Sequence, residues 1–217
     1  VAGVADAGLT YLDVAALTSL FRLTRALDVS GIPGSIVEAG CAEGGSAIVI
    51  ASAKHPDRPM SVHDVFGMIP EPGPQDGDDV HARYATIAEG RAEGVGGRQY
   101  YGYRADLLEE VAGNFARFNV PLDTINTTLV RGLFQDTVYP DGPVALAHID
   151  GDWYESVSVC LERILPMLSP GGVIVVDDYF AWSGCFHAVR DACRDLGPDF
   201  AVVRWREPRL WITRRAA

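Results

Sequence analysis

The chain has 217 residues, 48% hydrophobic and 22% charged, with a formal net charge of −11 and a single lysine, Lys54. That length buries roughly 70% of the unfolded surface and suits one domain over residues 1–217, while the acidic balance argues against nucleic-acid binding, which needs clustered Lys and Arg. Cys41, Cys160, Cys185 and Cys193 form no CxxC pair, which disfavours a zinc site of that kind and suits reduced thiols in a cytoplasmic protein; no run of about 18 apolar residues predicts a membrane span, and no basic-then-apolar leader is seen at the N-terminus.

Taken in chain order, residues 1–30 read as an N-terminal helical segment, with Leu12, Val14, Leu17, Leu20, Phe21 and Leu23 at helical spacing over 10–28 and Asp13 as its cap. Ile32-Pro33-Gly34 ends it. Ser35–Gly40 is a short strand running into glycines, Ser46–Ala53 a helix, and Pro59–Asp64 a second strand ending on a carboxylate. The stretch 66–79 is rich in Pro, Gly and Asp and reads as a mobile loop. With a helix at 80–92 and a second Gly-rich loop ending in Tyr100, Tyr101 and Tyr103, it makes 66–103 a lid or substrate region. A helix follows at 105–118, a strand at 127–132 and a buried strand at 144–150. A helix at 155–168 is stopped by Ser169-Pro170-Gly171-Gly172. The most apolar strand, 173–178, and a helix at 187–196 come next. The strands 200–205 and 210–214, joined by a Glu207-Pro208 turn, form an antiparallel hairpin. Alternating strands and helices before that hairpin predict an α/β fold with a mostly parallel seven-stranded sheet and helices on both faces.

The segment from Glu38 to Ser46 sits between a strand and a helix, where glycines let the backbone approach a ligand and the helix offers free N–H groups. No Lys follows Gly44 and Gly45, so a P-loop is disfavoured. Ala42 stands where a GxGxxG dinucleotide fingerprint needs its second glycine, which weakens the reading as a small NAD-dependent oxidoreductase. The spacing that fits is an acid, one residue, Gly40, three residues and then Gly44-Gly45. There Glu38 or a neighbouring backbone group would bind the methionine ammonium of S-adenosylmethionine, with Cys41 in the loop, and Asp64 would accept hydrogen bonds from ribose hydroxyls. A tight strand–helix turn without a ligand is the competing reading.

Asp150 and Asp152, and Asp177 and Asp178, follow two hydrophobic strands. Their carboxylates are therefore expected together at the carboxyl edge of the sheet, where open α/β folds bind ligands. Gathered carboxylates stay ionised only beside positive charge. No Lys or Arg adjoins either segment, so a divalent cation taking oxygen ligands, magnesium or calcium, is expected at Asp150, Asp177 and Asp178. The competing reading makes one of these acids a helix cap. His148 is expected as a satisfied core imidazole rather than a site group. His187 follows the acidic loop and is a candidate to reach the substrate. Trp153, Tyr154, Phe180 and Trp182 either line an acceptor pocket or pack as core.

The run Asp150-Gly151-Asp152-Trp153-Tyr154-Glu155-Ser156, with Leu168-Ser169-Pro170-Gly171-Gly172 and Asp177-Asp178-Tyr179, resembles the macrocin O-methyltransferase family. Gly8-Leu9-Thr10, Glu38-Ala39-Gly40, Asp64 with Phe66, and Val130–Thr137 carry the likeness across about residues 8–195. The resemblance implies a Rossmann-like class I methyltransferase that uses S-adenosylmethionine and Mg2+ on sugar hydroxyls of glycosylated natural products, with a homodimer by family habit. It implies metal ligation by Asp150, Asp177 and Asp178. It implies cofactor contacts from Glu38, Gly40, Ser46, Asp64 and the segment Gly132, Leu133 and Phe134. It makes Asp152 the candidate base. Catechol methyltransferases carry a Lys three residues after the first metal Asp; Trp153 stands there in this chain, which points to a different base. A non-catalytic ligand-binding protein on the same scaffold is the remaining alternative.

Overall fold

The computed structural model of the chain describes residues 1–206 and 209–216. The expected Glu207-Pro208 turn lies outside the described residues. Five parallel strands, β1 (Ser35–Ala39), β2 (Met60–Asp64), β3 (Thr127–Arg131), β4 (Val144–Ile149) and β5 (Leu168–Val176), are joined by β6 (Phe200–Arg206) and β7 (Arg209–Arg214). They form one sheet in the order β3-β2-β1-β4-β5-β7-β6, with β7 antiparallel to both β5 and β6. All six residues of β4 are buried, as a central parallel strand covered on both faces requires.

Among the described residues, eight α-helices, α1 (Ala2–Asp6), α2 (Val14–Val29), α3 (Gly45–Ala53), α4 (Asp78–Ala88), α5 (Leu107–Arg117), α6 (Phe134–Thr137), α7 (Tyr154–Ile164) and α8 (Ser183–Cys193), accompany the sheet. Asp13 caps α2 by accepting the Ala16 N–H at 2.7 Å. One face of the sheet packs on α2, α3 and α5 through Leu17, Ile48 and Phe115, and the other on α7 and α8 through Leu161, Ile164 and Val189. No described helix is long and apolar enough to cross a membrane.

Three expected boundaries move. The run Ser169-Pro170-Gly171-Gly172 follows the helix as expected, since α7 passes at Ile164 into a 3-10 turn over Leu165–Met167, but it lies inside β5 and not in a loop. The pairing steps from Val144↔Leu168 to Leu146↔Val173, so the run is an excursion that the partner strand does not match. Gly171 turns it at φ +82°. The last helix starts at Ser183, four residues before His187, and α4 ends at Ala88.

The single lysine is structural. Lys54 is buried, and its ammonium donates to the carbonyls of Pro56 at 3.2 Å and Arg58 at 2.9 Å, and to those of His55 and Ile125. Lys54→Met keeps the length of the side chain and removes the donor. It is expected to lower unfolding stability by about 1–3 kcal/mol, read by urea titration, because buried carbonyls lose their partner.

Candidate active site

The order of strands reverses between β1 and β4, which opens a crevice at their carboxyl ends. A cavity of about 510 Å³ lies there, within the range that holds a small-molecule ligand. Hydrogen bonds continue past the strand ends. The Asp150 N–H donates to Ala39 O at 2.8 Å, and the Asp177 N–H to Ile149 O at 2.9 Å. The loops after β1, β4 and β5 therefore lie side by side. Gly40 is required at this seam: it sits at φ +90°, and a Cβ there would come within 1.9 Å of Asp150 O.

The glycine loop contributes Gly40 and Cys41 to the cavity wall. Gly44, Gly45 and Ser46 do not line the cavity; a Cβ on Gly45 would meet Leu9 O and Thr10 Cβ at 2.7 Å, so this glycine makes room for the N-terminal segment. Asp64 lines the cavity and accepts the Cys41 N–H at 2.9 Å and the Phe66 N–H at 2.7 Å. Burial raises its carboxyl pKa against the lowering effect of those backbone donors. Leu133 and Phe134 line the same wall, whereas Gly132, at φ +148°, turns the chain behind them.

Glu38 does not reach the cavity. It is fully buried, and its Oε1 lies 3.0 Å from His148 Nδ1. The pairing of Glu38 with His148 across β1 and β4 sets the two side chains next to each other. His148 Nε2 faces Asp177 Oδ1 at 3.8 Å, and Arg209 Nε donates to the same oxygen at 2.5 Å. The outcome is a buried row of alternating charge: Glu38, His148, Asp177, Arg209. Burial alone would lower the His148 pKa, but Asp177 and Glu38 outweigh it and push it up to about 9. Burial likewise works against Asp177, yet His148 and Arg209 hold its carboxyl below the usual range.

Asp150, Asp177 and Asp178 converge, each offering an oxygen within 4.8 Å of the others. Asp150 and Asp178 have pKa values well above the usual carboxylate range, first through burial and then through repulsion among the acids. Asp178 Oδ2 is buried without a hydrogen-bond partner. Asp152 adjoins them in the cavity wall with a left-handed backbone, φ +55°, a conformation that is costly for a residue other than glycine and is concentrated at functional sites. Burial, offset by a hydrogen bond to Asp178, raises it to about 6.

The expectation that no protein cation serves these acids is corrected in part, since the sheet brings Arg209 to Asp177 from β7. Among the described residues, Asp150 and Asp178 form no ion pair of this kind. His187 sits on α8 with Nδ1 3.5 Å from Gln75 O, outside the cavity lining. Trp153 and Trp182 line the cavity with their rings edge to face at 5.8 Å. Glu43, read from the sequence as a spacer between glycines, is buried and pairs with Arg98 at 3.1 Å and Arg104 at 3.0 Å, tying the 95–104 segment to the glycine loop.

The sheet order, the terminal antiparallel pair and the crevice at the β1/β4 switch define a class I methyltransferase fold. The family model Macrocin-O-methyltransferase (TylF) matches residues 5–197, and the chain belongs to that family; it is an O-methyltransferase, not a dehydrogenase. It is 34% identical over 197 residues to the 8-demethyl-8-(2,3-dimethoxy-alpha-L-rhamnosyl)-tetracenomycin-C 4'-O-methyltransferase of Streptomyces olivaceus, covering 88% of this chain and 67% of the relative. The chain thus spans about two thirds of that relative's length. The O-methyltransferase NovP superposes with a TM-score of 0.77 at 23% identity, over 96% of this chain and 83% of NovP. TomG of Streptomyces achromogenes, solved in complex with SAM, superposes with a TM-score of 0.60 at 15% identity, over 96% of this chain and 82% of TomG.

Proposed function

We propose that the cavity holds S-adenosylmethionine against Gly40, Cys41, Asp64, Leu133 and Phe134, and that the enzyme methylates a sugar hydroxyl of a glycosylated small-molecule acceptor with Mg2+ held by Asp150, Asp177 and Asp178. The observation that carries this reading is the convergence of three carboxylates beside a cavity of about 510 Å³. The buried, unpartnered Asp178 Oδ2 and the raised pKa values of Asp150 and Asp178 fit an oxygen-seeking divalent cation. The rhamnosyl group in the name of the Streptomyces olivaceus relative supports the acceptor class.

S-adenosylmethionine supplies a methyl group on a good sulfonium leaving group, and a bound divalent cation lowers the pKa of the acceptor hydroxyl. The protein's own part is placement and proton transfer. A carboxylate oxygen of Asp152 takes the hydroxyl proton; with its pKa raised to about 6, it is more basic than an ordinary carboxylate and still ionised at neutral pH. Trp153 and Trp182 wall off water on the acid side. The base role goes to Asp152 and not to His187, which lies off the cavity wall.

The test is transfer of a radiolabelled methyl group to rhamnosylated aromatic acceptors, with and without chelator, in the wild type and in Asp178→Ala. Chelation and the substitution are each expected to reduce turnover at least a hundredfold. Undiminished turnover in both removes the metal from the mechanism.

A further inference from the structure

Two helices follow the two acid clusters, and neither caps itself. α7 begins after Trp153 and α8 after Trp182, and neither tryptophan makes a side-chain cap. The first N–H groups of a helix need acceptors, and here the acceptors come from the loop before α4 and from the first turn of α4. Asp76 Oδ1 accepts the Tyr154 N–H at 2.8 Å, and its Oδ2 accepts the Gly73 N–H at 2.9 Å. Asp79 Oδ2 accepts the Ser183 N–H at 2.9 Å and its Oδ1 the Ser183 hydroxyl at 2.5 Å, while the Gly77 N–H donates to Ser183 Oγ at 3.1 Å.

The loop is fitted between the helix starts as well as bonded to them. Asp76 is buried. A Cβ on Gly184, in the first turn of α8, would come within 1.9 Å of Asp76 Oδ1 and 2.8 Å of the Tyr154 nitrogen. One carboxylate therefore touches both helix starts, and glycine at 184 makes the room. A third tie joins the same loop: Trp153 Nε1 donates to Pro70 O at 3.0 Å. Ile69 and Pro70 of this loop line the cavity.

Short turns join these caps to the acids. Asp152 is two residues before Tyr154. Asp178 O accepts the Ala181 and Trp182 N–H groups at 3.0 and 3.2 Å, immediately before Ser183. A displacement of either helix start is passed through these turns to Asp152 or Asp178.

We propose that Asp76 and Asp79 are positioning residues, supplying from the cavity cover the N-terminal caps of α7 and α8 and so making cover placement and acid-cluster geometry one event. This rests on the metal reading above only for one of its two readouts. Asp76→Asn keeps an acceptor for the Tyr154 N–H, and Asp76→Ala removes it.

The experiment compares Asp76→Ala, Asp76→Asn and Asp79→Ala with wild type by backbone amide exchange and by Mn2+ affinity from electron paramagnetic resonance. In both Ala variants, exchange is expected to quicken at least tenfold in 66–79. It should quicken equally in 150–156 for Asp76→Ala and in 177–184 for Asp79→Ala. Mn2+ affinity should fall at least fivefold, with S-adenosylhomocysteine affinity by calorimetry within twofold of wild type. Asp76→Asn should restore Mn2+ affinity and exchange at 150–156 to within twofold, while exchange in 66–79 stays quickened because the Gly73 N–H loses its acceptor. Wild-type Mn2+ affinity and unchanged exchange at the acid segments in the Ala variants would overturn the proposal. If Asp76→Ala does not fold, Asp79→Ala carries the test through exchange at 177–184 and Mn2+ affinity. If wild type itself binds no Mn2+, the metal reading fails, and exchange at 150–152 and 177–179 alone decides: quickened supports the proposal, unchanged refutes it.

Discussion

Asp152→Asn is expected to slow methyl transfer by about 10²–10⁴-fold, the usual worth of a general base, with S-adenosylhomocysteine affinity within twofold of wild type. The substitution is a clean one. Asp152 sits at φ +55°, a conformation that Asn tolerates nearly as well as Asp, so the backbone that carries Gly151 and Trp153 stays in place. The amide keeps the size of the carboxylate and removes its ability to take a proton. Rates would be measured with radiolabelled cofactor at saturating acceptor. A loss of less than tenfold would move the base role away from Asp152.

His148→Leu is expected to give the largest loss of stability, about 3–5 kcal/mol, because breaking a buried ion pair strands the partner charge. His148 and Glu38 are both fully buried, and Asp177 faces the other imidazole nitrogen. For a chain of this length that loss lowers the melting temperature by on the order of 10 °C. The double variant Glu38→Leu/His148→Leu should recover part of it, since it removes the stranded carboxylate along with the histidine, leaving Asp177 its remaining partner, Arg209. Urea unfolding of the two variants would show this. Equal stability of the single and double variants would mean that Glu38 draws nothing from His148.

The clustering of Asp150, Asp177 and Asp178 was legible because each follows an apolar strand, and a parallel sheet leaves only its carboxyl edge for such tips. The terminal hairpin was legible for a similar reason: two strands in direct succession must pair antiparallel. Arg209 was not legible beside Asp177. The two are 32 positions apart in sequence, and they meet because β7 inserts between β5 and β6 and starts where β5 ends. The role of Glu38 was misplaced for a related reason. The strand pattern shows an acid at the strand tip, but only the register against β4 shows that its carboxylate points at His148 and away from the cavity. Asp76 lies in a loop, and Asp79 in the helix turn just after it, where the Pro, Gly and Asp content signals a turn and nothing about which helix start lies within reach. Ser169–Gly172 has the composition of a helix stop and follows the helical turn, yet it falls within β5 as an unpaired excursion because Leu168 and Val173 on either side of it both pair with β4.

The buried ammonium of Lys54 leaves the molecule without an accessible side-chain amine. Reagents that acylate or cross-link lysines meet a buried ammonium held by four carbonyls, and they are left with the α-amine. A lysine added on the surface therefore becomes the one accessible side-chain amine, to be labelled once the α-amine is blocked. Position 88, exposed at the end of α4, suits it, because a cation is favoured at a helix C-terminus. A fluorophore attached through Ala88→Lys would report on the cavity cover from a single known point, with no need to remove any native residue of the same type.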